Sequence, residues 1–190
     1  MMAKSSFFSL MATLATAAAL SFSCSTTRVL EEGQYRLASN KVEVIGDSKF
    51  NTKKVESYIK QKPNSYIIFG WNPFLNLYNW SGRNPDKAIN RLIRSIGTAP
   101  VVYQPSQVEA SIENINRHLE YLGYYGSDVR SDIEVKGRKV NVTYSITLGK
   151  RFRIGEITYS VPDGEFKEDF LADTSATTVR SGDYLSEDAL

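Results

Sequence analysis

The chain has 190 residues, a hydrophobic content of 42%, a charged content of 23% and a formal net charge of +2 at pH 7. These proportions are ordinary for a globular protein and argue against disorder along the whole chain. Lys4 lies in a predicted signal peptide, and its removal would leave a charge of +1. Such a near-neutral balance gives no electrostatic basis for nucleic-acid binding. The length suffices for one domain and part of another.

The N-terminal segment has the pattern of a bacterial lipoprotein signal peptide. Lys4 supplies a positive charge, and residues 7–22 form an uncharged apolar run that is short for a transmembrane helix. Cys24 follows, and because it is the only cysteine of the chain it cannot form an internal disulfide. We interpret Cys24 as the lipid attachment site, although Ser21 and Phe22 are not the commonest residues at their positions. An ordinary cleaved signal and an uncleaved N-terminal anchor are the alternatives.

A tether, a strand and a helix are predicted next. Residues 24–40 are polar and irregular, which indicates a connection between the anchor and a folded domain. Residues 41–46 favour a strand, because valines alternate with charged side chains. Residues 52–61 favour a helix that ends before Pro63. Three residues of this helix share a face: Val55, Tyr58 and Ile59.

Residues 64–104 differ in composition from the flanking chain, and we interpret them as an insertion. Aromatic residues crowd its loop-like first half and form a candidate binding patch: Trp71, Phe74, Tyr78 and Trp80. Burial of these rings in the core is the alternative, because aromatic side chains supply the apolar area that orders a long connection. A short helix is expected between Pro85 and Gly97. Its apolar face is Ile89, Leu92, Ile93 and Ile96, and the arginines expected to point outward are Arg83, Arg91 and Arg94.

The strongest pattern of the chain begins at Pro105. Apolar residues recur there at helical spacing: Val108, Ile112, Ile115, Leu119 and Leu122. Gly123 supplies a C-terminal stop for this helix. Residues 129–135 form an apolar-rich run, and residues 136–138 predict a turn. Residues 140–148 alternate between apolar and polar side chains, so we predict a strand at the centre of a sheet.

The last part of the chain predicts the start of a second domain. Residues 151–159 favour a strand with a bulge at Gly155, and residues 165–171 favour a helix. A further helix is expected to start at Ser186. We therefore interpret residues 150–190 as a second domain that is truncated.

No residue pattern indicates an enzyme. The only histidine, His118, flanks the apolar stripe of the long predicted helix without an accompanying nucleophile motif, so a structural role is expected. No spacing of Cys, His or carboxylate residues predicts a metal site, and no glycine-rich loop predicts phosphate binding. We expect no metal, no cofactor and no catalytic residue.

The order strand, helix, insertion, helix, strand, strand resembles a polypeptide-transport-associated (POTRA) domain. Residues 122–125 (Leu-Gly-Tyr-Tyr), 151–157 and 181–184 carry the likeness. The resemblance implies an α+β fold with a β-α-α-β-β order, in which a small mixed three-stranded sheet has helices on one face. The expected domains are a signal peptide (1–23), a tether (24–40), a POTRA-like domain (41–149) and an incomplete second one (150–190).

With its lipoprotein start, the chain is similar to the N-terminal part of BamA/TamA-like outer-membrane assembly lipoproteins of the Bacteroidetes type. Such proteins carry periplasmic POTRA repeats before a C-terminal β-barrel. The resemblance implies an outer-membrane location, a domain in the periplasm, and unfolded outer-membrane proteins and other assembly subunits as partners. Clients would add a strand to an exposed sheet edge, for which we predict Val129, Ile133, Glu134 and Val135. An edge strand that a neighbouring domain caps is the alternative. A self-standing lipoprotein interaction module without a barrel is the alternative.

Overall fold

The computed structural model describes residues 26–47, 49–66, 72–84, 86–172, 174 and 178–187. The predicted signal peptide, Cys24 and Trp71 lie outside the described residues. The strands are β1 (Arg36–Ile45), β2 (Asp128–Lys136) and β3 (Lys139–Thr147). The helices are α1 (Lys53–Glu56), α2 (Pro73–Trp80), α3 (Ala88–Ile96), α4 (Pro105–Tyr121) and α5 (Phe166–Ala172).

The three strands form one sheet in the order β1-β3-β2, so β3 is central, as the alternating sequence pattern predicted. β2 and β3 form a hairpin around Gly137, which has a positive φ of 61°. β1 is parallel to β3, because the contacts Arg36–Arg138 and Ser39–Asn141 have the same sequence offset. One face of β3 is fully buried, through Val140, Val142, Tyr144 and Ile146. The predicted α+β fold with a mixed three-stranded sheet is confirmed.

The chain divides into two compact units. The first comprises the described residues up to Asn40 together with Gln61–Gln104 and Ile133–Val142. The second comprises Lys41–Lys60, Pro105–Asp132 and the described residues from Thr143 onward.

In the first unit, β1 begins earlier than predicted. Residues 36–40 belong to the strand rather than to a tether, and Leu37 is buried. The cause is pairing with a remote segment: the N–H of Leu37 donates to the carbonyl of Val101 and that of Tyr103 donates to Tyr35, both at 2.8 Å. The segment before β1 is bound by Arg138, whose guanidinium donates hydrogen bonds to the carbonyls of Thr27, Glu31 and Gln34.

The loop predicted for the first half of the insertion is wrong, because α2 lies there. Asn72 caps this helix, since its side-chain oxygen accepts a hydrogen bond from the N–H of Leu75 at 2.8 Å. Pro73 occupies the first helical position, which favours initiation. Both ends of the insertion are held by Asn64, whose side chain bonds to the carbonyl of Ala99 (2.8 Å) and the N–H of Val101 (3.0 Å).

In the second unit, α4 confirms the predicted helix, and Ile115 and Leu119 are buried. α1 is shorter than the predicted helix 52–61 and ends at Glu56. The N–H of Lys60 donates to the hydroxyl of Ser111 on α4 at 3.0 Å, so this donor bonds outside a helical turn.

The strand predicted for residues 151–159 is also wrong, and with it the bulge at Gly155. Among the described residues 151–159, one isolated bridge joins Arg153 to Tyr184, and the N–H of Leu185 donates to the carbonyl of Phe152. One bridge is too little pairing to form a strand of a sheet. The helix predicted at 165–171 is confirmed by α5. The segment around Leu185 also approaches Gly123 closely: a Cβ on this glycine would stand 2.4 Å from the Leu185 carbonyl oxygen.

Candidate functional site: the edge strand β2

β2 is an edge strand, since its only neighbour in the described sheet is β3. Among the described residues, no other segment forms a backbone bridge or hydrogen bond with the part of β2 from Ile133 to Lys136. An unpaired edge offers backbone donors and acceptors to another extended chain. The structure therefore places three of the predicted edge residues on a free edge: Ile133, Glu134 and Val135.

The direction of the free backbone groups follows from the register. The carbonyl of Arg138 accepts from the N–H of Arg36 in β1 at 2.9 Å, so the adjacent Lys139 turns its backbone groups toward β2. Across the two-residue turn, Lys139 pairs with Lys136. Alternate residues counted back from Lys136 face β3. The others direct their N–H groups away from the sheet: Val129, Ser131, Ile133 and Val135.

The side chains of the edge change character along the strand. Val129, in the second unit, is buried, so its side chain belongs to a core. Ile133 and Val135, in the first unit, are 44% and 53% exposed. Because both have the same alternation as Val129, they present apolar side chains on the same face of the strand to solvent. Another extended chain paired along this edge could cover them with its own side chains.

Charged pairs flank the exposed residues on the opposite face of β2. Glu134 and Lys136 form an ion pair at 2.8 Å, and the amide of Asn141 on β3 donates to Glu134 at 3.3 Å. The hydrogen bond from Lys136 lowers the pKa of the Glu134 carboxyl. The Glu134 carboxylate is therefore charged at neutral pH and is bound to Lys136 and Asn141. These contacts use side chains only, so the outward backbone groups of β2 remain available for pairing.

The other edge of the sheet is covered where β1 begins. Residues 101–103 form backbone hydrogen bonds with Tyr35 and Leu37, and Val102 forms a bridge with Arg36. Residues 101–103 therefore occupy the side of β1 that faces away from β3. This contrast gives an internal comparison between a covered and an open edge within the first unit.

The described residues of the candidate aromatic patch lie on α2 and differ in exposure. Phe74 and Trp80 are exposed on α2, whereas Tyr78 is half-buried against Arg94, whose guanidinium lies 5.4 Å from its ring. Trp71 lies outside the described residues. Of the three described residues, Phe74 and Trp80 are therefore exposed, and they lie on a helix where the sequence predicted a loop-like stretch.

The other sequence predictions concern chemistry and membrane attachment. His118 stacks on Tyr58 with ring centroids 3.9 Å apart and also lies against Tyr121, which is consistent with the expected structural role. In the part of the chain that the structure describes, no cluster of three or more His, Cys, Asp or Glu side chains could hold a metal ion. None of the described helices is long and apolar enough to span a bilayer.

Residues 38–149 match the POTRA family, described as a surface antigen variable number repeat. The chain belongs to the POTRA family. A crystal structure of POTRA domains 3–5 of BamA from Haemophilus influenzae is similar over 85% of this chain and 84% of its own, with 10% identity and a TM-score of 0.30. No curated protein sequence matches the chain. The POTRA match begins within β1, at residue 38, and includes β2, β3 and the helices α1 to α4.

Proposed function

We propose that this protein is the periplasmic polypeptide-binding part of an outer-membrane protein assembly factor, and that β2 binds unfolded clients or partner proteins by strand addition. POTRA domains of BamA-like proteins take part in outer-membrane protein assembly, and the POTRA fold is a scaffold for binding polypeptides. The observation that carries the proposal is the open edge of β2 from Ile133 to Lys136.

Strand addition suits clients of many sequences. The affinity comes from main-chain hydrogen bonds, which every client offers, and side-chain contacts only modulate it. At Ile133 and Val135 the edge adds exposed apolar contacts without a pocket of fixed shape. Such a site would accept the alternating apolar and polar strands of an unfolded β-barrel protein.

The proposed location is the periplasmic side of the outer membrane, with attachment through lipidated Cys24, as in assembly lipoproteins of the Bacteroidetes type. One acyl chain binds a membrane reversibly, and two acyl chains give stable attachment. A cysteine that carries two acyl chains would therefore suffice as an anchor. Replacing Cys24 by alanine should abolish acylation and move the protein to the soluble fraction. Continued membrane attachment of the unacylated variant would favour an uncleaved N-terminal helix as the anchor.

Photocrosslinking can test the binding edge directly. A photoreactive amino acid at Val135, on the open edge, should crosslink a urea-unfolded outer-membrane β-barrel protein after dilution. The matched control carries the same probe at Tyr35, beside the covered edge of β1. Equal crosslinking at the two positions, or none at Val135, would refute β2 as the binding edge.

A further inference from the structure

The apolar face of α3 is turned to solvent. Ile89, Leu92 and Ile96 lie on one side of this helix and are 63%, 59% and 57% exposed. No residue of α3 is buried. A nine-residue amphipathic helix in a globular domain normally buries such a stripe against the core, whereas here no described residue buries it.

The reason for this orientation is that α3 packs through its polar side. Arg94 donates to the hydroxyl of Ser81 at 3.0 Å and to the carbonyl of Gly82 at 2.8 Å. Gly97, which follows the last residue of α3, lies close to α2, because a Cβ on this glycine would stand only 2.8 Å from the backbone of Tyr78. The prediction that Arg94 points outward is therefore wrong, and the apolar stripe is left uncovered.

α2 adds a second exposed apolar surface. Trp80 is 73% exposed, Phe74 is exposed, and Leu77, half-buried, lies between them on the same side of the helix. Tryptophan is enriched where proteins meet the headgroup region of a bilayer, because its ring is apolar and its N–H is polar.

The charge around these two helices is strongly biased. Residues 72–104 contain four basic side chains and one acidic side chain, Asp86. Three of the basic residues are exposed: Arg83, Lys87 and Arg91. An apolar stripe beside basic residues is the pattern of helices that lie in the interface of an anionic membrane. The same positive charge would oppose a symmetric contact between two copies of this surface.

The chain also leads from this surface toward the proposed anchor. The N–H of Val29 donates to the side chain of Asn79 on α2, and Arg83 donates to the carbonyl of Arg28, both at 3.4 Å. Cys24 precedes Arg28 by four residues, which span at most roughly 14 Å when extended. A lipid on Cys24 would therefore hold α2 within a short distance of the bilayer surface.

We propose that the exposed faces of α2 and α3 dock on an anionic lipid surface, with Ile89, Leu92, Ile96 and Trp80 entering the headgroup region. This contact is separate from strand addition by β2, but it rests on the lipid anchor at Cys24 that the proposed function assigns. It would fix one side of the first unit against the membrane, in addition to the single tether at the N-terminus.

Fluorescence of Trp80 provides the test. The 190-residue chain, carrying Trp71→Phe so that Trp80 is its single tryptophan, is reconstituted through its own N-terminal anchor into phosphatidylcholine vesicles with or without phosphatidylglycerol. Some of the lipids carry brominated acyl chains, which quench tryptophan on contact. Sedimentation of the protein with the vesicles reports the anchor independently of Trp80 quenching. We expect quenching and a blue shift with phosphatidylglycerol, weakened by high salt and weak in its absence.

Leu92→Glu should abolish this quenching, because it places a charge in the apolar stripe. Ser95→Glu is the matched control, since it adds the same charge to an exposed position of the same helix outside the stripe, and it should retain quenching. Ile89→Gln, which adds no charge, should weaken quenching, and circular dichroism verifies folding of each variant. Absence of quenching in anionic vesicles would overturn the proposal, as would a dimer in detergent that Leu92→Glu dissociates.

Discussion

Replacing Ile133 by proline should weaken client binding and leave the folded domain intact. The N–H of Ile133 points away from β3, so the change removes a donor that the sheet does not use. The side chain is 44% exposed, so little packing is lost. One backbone hydrogen bond contributes about 0.5–1.5 kcal/mol net, and an unpaired client carbonyl adds a further cost. We expect about 1–2 kcal/mol weaker binding, or roughly a five- to thirtyfold higher Kd.

Proline at the neighbouring Glu134 is the control. Its N–H faces β3, so this substitution removes a hydrogen bond of the sheet rather than of the client. The first variant should therefore lose affinity at nearly unchanged stability, whereas the second should lose stability. The register thus separates two adjacent positions, Ile133 and Glu134, that the sequence alone treats as equivalent.

The Kd can be measured by fluorescence anisotropy with a labelled fragment of an unfolded β-barrel protein, and stability by urea unfolding. A folded Ile133→Pro variant whose Kd changes by less than about twofold would refute strand addition at this edge. Equal loss of stability in the two variants would refute the register.

Three further predictions concern stability and charge. Gly123→Ala should lower the free energy of unfolding by more than about 1 kcal/mol, because the glycine has a φ of 83° and a Cβ would meet the Leu185 carbonyl. Ile115→Ala should cost about 2–5 kcal/mol, because this side chain is fully buried on α4. Lys136→Ala should raise the pKa of Glu134 toward its ordinary value of 4.5, which an NMR pH titration can follow. Because the folded-state pKa is depressed, the ion pair stabilises the fold above that ordinary value and is lost as pH falls through the folded-state pKa.

Each of these has a contradicting outcome. Chemical denaturation that shows unchanged stability for Gly123→Ala would mean that the chain near Leu185 moves away easily. A cost below about 1 kcal/mol for Ile115→Ala would place this residue outside a packed core. An unchanged titration of Glu134 in the Lys136 variant would assign its lowered pKa to another group.

The parts of the fold that sequence predicted are those set by local periodicity. The apolar spacing of α4 and the alternation of β3 each report a buried face, and both elements are confirmed. The turn at Gly137 predicts that β2 and β3 pair. The edge position of Ile133 and Val135 depends in addition on the pairing of β1 with β3, which no local pattern reports.

The missed features depend on contacts between remote residues. β1 extends to Arg36 because residues 101–103 pair with it, and no local pattern reports that partner. α2 carries apolar side chains on most of its sides, so they mark no single buried face, and the Asn72-Pro73 start was its clearest local signal. The orientation of α3 depends on hydrogen bonds of Arg94 to the end of α2, so its apolar stripe predicted a buried face that the structure exposes.

Amide hydrogen exchange measured by NMR tests the central claim, that β2 pairs with clients through its free backbone groups, most directly. In the free protein the outward N–H groups of Ile133 and Val135 should exchange fast, because they lack backbone partners in the described structure. Saturation with an unfolded β-barrel client should slow both by at least about tenfold, which corresponds to about 1.4 kcal/mol of protection. If the client is bound but the exchange rates of the Ile133 and Val135 amides do not change, strand addition at β2 would be contradicted.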